Sequence, residues 1–392
     1  MFIEIFIKRT HFHQNSGGLE TQSKELAEGL VKLGYRVNVI SPQLELNILE
    51  KAENGVNYTF LNCWYTNTQA IKHKFSKPSW AQKSLKYFQN TNPDLVISQS
   101  SAGYTIIKQK NRVPVLTIAH GTILREWKTF IKKGGYKNLF QLLKIFQYIV
   151  REYFGKQKQF INKSDFVVTV SEDVKKDLLK ETKISPEKVK VIYVGVDSAK
   201  FLKPKILNTD SIKLIYVGVL IKEKGAGYAI KAISKLKEKY PSIKLTIVGN
   251  GHDRENFEKL VKTLKLEHFV TFTGKVDYSY IPTLLNQNNI FIHPSVRDEG
   301  FPMVMLEAVT AGLPIIATDK GGTRNVVKSG VNGILLNPDE KVKDQIIDAV
   351  SFIKDGMKLE DMSDESIKIS KEFSFDKVLN QYDQIIKILT RK

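Results

Sequence analysis

Two carboxylates, Glu299 and Glu307, bracket the run Gly300-Phe301-Pro302-Met303-Val304-Met305-Leu306. Pro302 has no N–H and a fixed φ, so it suits the first turn of a helix, and Gly312 with Pro314 supplies a stop. The pattern predicts a helix from about Pro302 to Ala311. Its first N–H groups, near Met303 and Val304, carry the positive end of the helix dipole and can receive a phosphate. Glu307 then falls inside the helix and Glu299 just before it. Like charge excludes both as phosphate ligands and leaves them as hydrogen-bond acceptors for the hydroxyls of a sugar or ribose.

Four other places carry residue types with related chemistry. Gly17-Gly18 follows the first apolar run and precedes a helical pattern starting near Thr21, so a phosphate could approach its backbone closely; an ordinary turn also explains a glycine pair. It is neither the Gly-x-Gly-x-x-Gly fingerprint nor a Walker loop. His120 closes the run Val115 to Ile118, which puts an imidazole at a strand end, as a ligand-facing group or as a structural histidine. Gly218 to Gly225 follows another strand and contains Lys224, which can neutralise a diphosphate leaving group or simply face solvent. Gly249 and Gly251 flank Asn250 after a fourth strand, where a planar base could lie on backbone, and the segment to Val276 could supply groups to the same base.

These positions need elements to hold them. Short β-branched runs alternate with longer amphipathic stretches, the pattern of α/β layers and parallel sheets. Strands are expected at Phe2 to Ile7, Arg36 to Ile40, Leu95 to Ile97, Val115 to Ile118, Phe166 to Val170 and Val189 to Tyr193. After a polar, aperiodic linker at Lys203 to Asp210, strands resume at Lys213 to Val217, Lys244 to Val248, Val270 to Thr273, Ile290 to His293 and Ile315 to Ala317. Two doubly wound domains in tandem follow, with ligands at the strand C-termini.

Bulk properties fit that division. The chain has 392 residues and 42% hydrophobic content, enough for two cores. Its one cysteine, Cys63, excludes an internal disulfide and reads as a small buried residue on a strand. The short apolar run at the N-terminus reaches charged residues at once, so it reads as a first strand rather than a leader, and no uninterrupted apolar stretch reaches membrane-spanning length. The formal net charge is +19. Residues 1–205 hold 33 Lys and Arg against 17 Asp and Glu, and the remainder 27 against 24, so the N-terminal part carries nearly all of it. Leu139, Leu142, Leu143, Phe146, Ile149, Val150, Tyr153 and Phe154 share one helical face in that basic region, with Lys137, Lys144, Arg151 and Lys158 opposite. Such a helix suits a core with a solvated face or an anionic membrane surface; Trp127 and Phe130 beside Lys128, Lys132 and Lys133 favour the membrane. Nothing resembles a nucleic-acid recognition module, so no nucleic-acid partner is expected.

The order of these pieces resembles the retaining glycosyltransferases of family 4, which have the GT-B fold. The matching residues are Glu299 to Glu307 with Gly300-Phe301-Pro302 inside, His293-Pro294-Ser295 before, and Gly312-Leu313-Pro314, Gly321-Gly322 and Gly330-Val331-Asn332-Gly333 after. Gly17-Gly18, His120, Ser171, Gly195-Val196-Asp197, Lys224-Gly225 and Gly249 to Gly251 follow the family order. The resemblance implies two Rossmann-like doubly wound parallel-sheet domains facing a central cleft. Residues 1–205 would bind acceptor, residues 206–372 the nucleotide sugar, and residues 373–392 would form a helix crossing back to the first domain.

It further implies transfer of a hexose from a nucleoside diphosphate sugar, a UDP-sugar above all, to a surface polysaccharide or lipid-linked glycan. No cofactor or metal is implied. Glu299, Lys224 and His120 are the catalytic candidates. Donor contacts would come from Gly17, Gly18, Gly218, Lys224, Gly249, Gly251, Val276, Glu299, Gly300, Phe301, Pro302, Met303, Val304 and Glu307. A cytoplasmic protein peripheral at the inner membrane face is expected. Three positions depart from the family pattern: Val219 replaces a usual arginine, Val194 a frequent asparagine, and Asn325 a common glutamate. The missing arginine motivates an alternative, a noncatalytic sugar-nucleotide-binding partner of another transferase.

Overall fold

The computed structural model describes residues 1–13, 17–44, 46–63, 78–109, 113–122, 124, 157–201, 211–297, 300–338, 341–356 and 358–391. Glu299, the basic aromatic segment at 127–133, the apolar helical face expected at 139–154 and the expected linker at 203–210 lie outside the described residues. The chain folds as two compact units, Met1–Val194 with Val378–Lys392, and Gly195–Lys377.

The first unit is built on an eight-stranded sheet of β1 (Phe2–Phe6), β2 (Arg36–Pro42), β3 (Glu50–Glu53), β4 (Val56–Leu61), β5 (Leu95–Gln99), β6 (Val115–Ala119), β7 (Phe166–Thr169) and β8 (Val189–Val191), in the order β3-β4-β2-β1-β5-β6-β7-β8. All pairs are parallel except β3 with β4. The inner strands are apolar almost throughout because helices cover both faces of such a sheet; Leu95, Val96 and Ile97 are all buried. The hairpin β3–β4 is absent from the strands expected on sequence. Asn54 and Gly55 sit at φ 50° and 79°, the left-handed pair that a two-residue hairpin turn requires. β3 itself reads Glu-Lys-Ala-Glu, an exposed edge strand without the apolar alternation that marks a strand. Cys63 is buried just beyond β4 rather than on a strand.

A helix over Phe375–Thr390 buries Val378, Leu379, Tyr382, Ile385 and Ile386, and from Val378 onward it belongs to the first unit. Tyr35 donates to Asp383 Oδ1 at 2.6 Å, tying that helix to the turn before β2.

The second unit has a fully parallel six-stranded sheet of β9 (Lys213–Val217), β10 (Lys244–Val248), β11 (Val270–Gly274), β12 (Ile290–His293), β13 (Ile315–Thr318) and β14 (Gly333–Leu336). The order β11-β10-β9-β12-β13-β14 means that the chain winds outward from β9 in one direction and then restarts beside it with β12. This reversal between β9 and β12 opens a crevice at their C-terminal ends, the place where such sheets bind ligands. The five strands expected in this unit match within a residue or two. β14 is the addition, since four residues after a Gly-rich turn carry too little periodicity to mark a strand.

Candidate functional site

The loops that leave β9 and β12 are joined to each other. After β9, Lys222–Lys224 form a single 3-10 turn that ends at Gly225 with φ 83°. Val296 on the β12 loop donates its N–H to the Glu223 carbonyl at 2.9 Å. A Cβ on Gly225 would lie 2.0 Å from the Pro294 carbonyl oxygen, so only glycine lets the two loops meet this closely. The Lys224 turn and the approach to Gly300 are thereby one assembly.

The helix expected at Pro302 to Ala311 spans Met303–Thr310, with Pro302 as its N-cap. Proline fits this place because its φ of −80° enters the helix and no N–H is missed there. Met305 N–H reaches back to the Pro302 carbonyl at 3.1 Å, and the N–H groups of Met303 and Val304 head the helix beyond the crevice end of β12. Gly300 and Phe301 are half-buried; Phe301 packs on Phe373, and Gly322 rests on the Gly300 carbonyl, where a Cβ would approach to 2.5 Å. Glu307 lies inside the helix with 5% exposure, and Tyr278 donates its hydroxyl hydrogen to Glu307 Oε1 at 3.0 Å.

Gly218, Gly249 and Gly251 serve the loops themselves. Gly249 has φ 131°, and a Cβ there would sit 2.0 Å from the Gly218 carbonyl oxygen; one on Gly251 would sit 2.3 Å from that of Leu220. The loops after β9 and β10 interlock through Gly218 N–H to the Val248 carbonyl and Leu220 N–H to that of Asn250, both at 3.0 Å. Lys222 N–H is capped by Asp253 Oδ2 at 2.8 Å. Gly249 and Gly251 therefore answer to backbone meeting backbone, a demand that their spacing in sequence does not reveal, whereas Gly218 leaves room for the Tyr216 side chain. Val219 is exposed, and its carbonyl accepts from Tyr216. Val276 follows β11 and precedes a turn at Tyr278–Tyr280 that Asp277 caps, accepting from Ser279 N–H at 2.9 Å.

Gly17, Gly18 and His120 belong to the first unit, at the C-terminal ends of β1 and β6. Gly17 caps the helix Gly18–Lys32, and its N–H donates to Glu20 Oε2 at 2.8 Å. His120 Nε2 lies 2.7 Å from Gln99 Oε1, at the end of the adjacent strand β5. The amide oxygen can only accept, so Nε2 carries the hydrogen, and desolvation pulls the imidazole pKa down to about 4. His120 is neutral at pH 7. Ser100, next after β5, holds φ 51°, and the Ser98 hydroxyl braces that turn by donating to the Ser100 carbonyl and accepting from Gly103 N–H.

Two residues of these clusters are not singled out by sequence. Gln99 is legible only as a polar residue at a strand C-terminus, and Tyr278 as an aromatic two positions beyond Val276. Neither belongs to a spaced motif. Among the described residues no group of three His, Cys, Asp or Glu converges, and no helix is long and apolar enough to cross a membrane.

Comparison with known proteins agrees with this architecture. Residues 16–200 match the family described as Glycosyltransferase Family 4, and residues 197–368 match Glycosyl transferases group 1. The chain is 28% identical over 345 residues to an uncharacterized glycosyltransferase of Methanocaldococcus jannaschii, covering 82% of each. Its fold resembles a sucrose-phosphate synthase from Thermosynechococcus elongatus with TM-score 0.80 and 18% identity, over 99% of this chain and 98% of the other. It also resembles the Anabaena protein HepE, solved in complex with UDP-glucose, with TM-score 0.72 and 18% identity over 99% of both chains. The chain is a GT-B-fold glycosyltransferase related to the glycosyltransferase family 4 and glycosyl transferases group 1 domains.

Proposed function

We propose that the protein transfers a hexose, with retention and without a metal, from a nucleoside diphosphate sugar to a glycan or lipid-linked acceptor. The observation that carries this reading is the junction of the Lys222–Lys224 turn with the β12 loop, through Val296 N–H and the Glu223 carbonyl. It joins the turn that carries Lys224 to the loop leaving β12, whose chain continues to the helix at Met303; a lysine and a helix N-terminus are together suited to one diphosphate. UDP is the proposed carrier, following the ligand of the HepE structure.

In this mechanism the diphosphate rests on Lys224 and the N–H groups near Met303 and Val304, with backbone at Gly17-Gly18 completing its cradle. Glu307 accepts from the ribose hydroxyls, and Glu299 from the hydroxyls of the transferred sugar. The segment from Gly249 to Val276 receives the base. The bond between the anomeric carbon and the diphosphate oxygen breaks as positive charge moves to the sugar ring. The acceptor oxygen forms its bond on the same face, and its proton passes to the departing diphosphate. Neutral His120, its Nε2–H given to Gln99, offers Nδ1 as an acceptor at the sugar without adding a positive charge beside the developing cation. The two glutamates are not a hydrolytic pair, whose carboxyls flank the scissile bond as acid and nucleophile.

Residues 1–205 are assigned to the acceptor, 206–372 to the donor, and 373–392 to the returning helix. The excess of base in the N-terminal part suits an acceptor carried on an anionic inner-membrane surface. Incubation with a panel of UDP-, GDP- and ADP-sugars, before and after chelation, tests the reading by nucleotide release. Release from one donor class that survives chelation is expected. Intact donor binding with no turnover under any condition supports the noncatalytic partner instead.

A further inference from the structure

Tyr278 stands where the base-side segment meets the ribose-side carboxylate. It begins the Tyr278–Tyr280 turn, which follows β11 after Val276 and is fixed by Asp277, whose Oδ1 accepts from both the backbone N–H and the hydroxyl of Ser279. Those two bonds hold the Asp277 carboxyl below its usual range. The Tyr278 ring is set by an edge contact with Phe201, centroids 6.4 Å apart and planes at 67°. From this braced position its hydroxyl reaches Glu307 Oε1 at 3.0 Å, across 29 residues of chain.

A glutamate's last torsion is broad and does not by itself aim the carboxylate. A phenol on a rigid turn does aim it, because it can donate one hydrogen along one direction, and it pairs with one oxygen while the group keeps further acceptor sites. We infer that Tyr278 is a positioning residue for the nucleoside part of the donor: through Oε1 it holds the Glu307 carboxylate in the orientation that accepts ribose hydroxyls. The inference rests on the reading of Glu307 proposed above. It also explains why the turn after β11 is capped so tightly, since a mobile turn would leave the carboxylate unaimed.

Calorimetric titration of the full chain with UDP and with 2′,3′-dideoxy-UDP tests it, with the ADP and GDP pairs run beside them. Wild type should prefer the intact ribose. Glu307→Gln should weaken the ribose-bearing nucleotide and erase most of that preference. Tyr278→Phe keeps the ring and its packing, and should weaken UDP about tenfold, the loss expected for one hydrogen bond to a charged group, while leaving dideoxy-UDP nearly unchanged. Equal weakening of both nucleotides, or none, in Tyr278→Phe while Glu307→Gln loses its preference overturns the role of Tyr278 alone. Unchanged preference in Glu307→Gln overturns the reading of Glu307 and this inference with it. A wild type that binds no diphosphate overturns the donor assignment itself.

Discussion

Lys224 is the one lysine that the turn after β9 delivers directly before Gly225, and the half-buried side chain stands at the loop junction. Val219 stands where the family usually has an arginine, which leaves Lys222 as the other base of this turn. Lys224→Ala should therefore lose a charge-assisted contact of about 1.5 to 3 kcal/mol, a fall in kcat/KM of roughly 10- to 150-fold. Steady-state kinetics with the accepted donor checks this; a change under threefold would move the diphosphate elsewhere. Restoring the family's base through Val219→Arg is the complementary experiment, since the exposed position can hold a long side chain without repacking.

Two loops and a helix form the working element, and glycine is what lets them join. Gly225→Ala places a Cβ against the Pro294 carbonyl at 2.0 Å and forces a side chain into φ 83°. Left-handed strain alone costs on the order of 1 to 3 kcal/mol, and relieving the overlap must separate the β9 loop from the β12 loop. The expected outcome is a lower urea midpoint together with weakened donor binding, read by denaturation and calorimetry on the same sample; normal binding in a destabilised variant would show that the junction does not shape the site. Five of the six strands of this unit and the helix at Pro302 are readable in sequence because apolar runs and a proline–glycine frame report local structure directly. The Glu223–Val296 join is not, because it pairs backbone groups whose side chains carry no signal. The β3–β4 hairpin escapes for a different reason. Its Asn54-Gly55 turn is a strong local signal, yet the polar edge strand beside it hides the alternation that would mark a strand. Tyr278 is invisible as a partner of Glu307 because tertiary pairing, not spacing, brings them together.

At the scale of the whole chain, two desolvated titratable groups in the first unit shift stability in opposite directions with pH. Glu4, in the middle of β1 with no exposure, has its carboxyl pushed up to about 7 by burial, only partly offset by the Thr91 hydroxyl. His120 is drawn down to about 4 by desolvation. Between about pH 4.5 and 7 the folded chain holds a proton on Glu4 that the unfolded chain has released, so this group costs stability as pH rises and the full cost is present above pH 7. His120 acts in the other direction: the unfolded imidazole takes up a proton below about 6.5 that the folded one refuses, so stability falls on acidification. Glu4→Gln removes the first effect alone. Its stability gain over wild type should be near zero below pH 4.5 and grow to about 3 kcal/mol above pH 7, measured by urea denaturation at a series of pH values. A gain that does not change with pH would mean that the Glu4 carboxyl titrates in the folded chain as it does in the unfolded one.

Retention during transfer from a nucleotide sugar is tested most directly by proton NMR of the complete reaction. With the accepted α-linked donor and a glycan acceptor, the new anomeric proton should show the small coupling of an α-linkage at its first appearance, as the nucleoside diphosphate is released. A β-linked first product, or consumption of the donor to free sugar alone, would contradict the account.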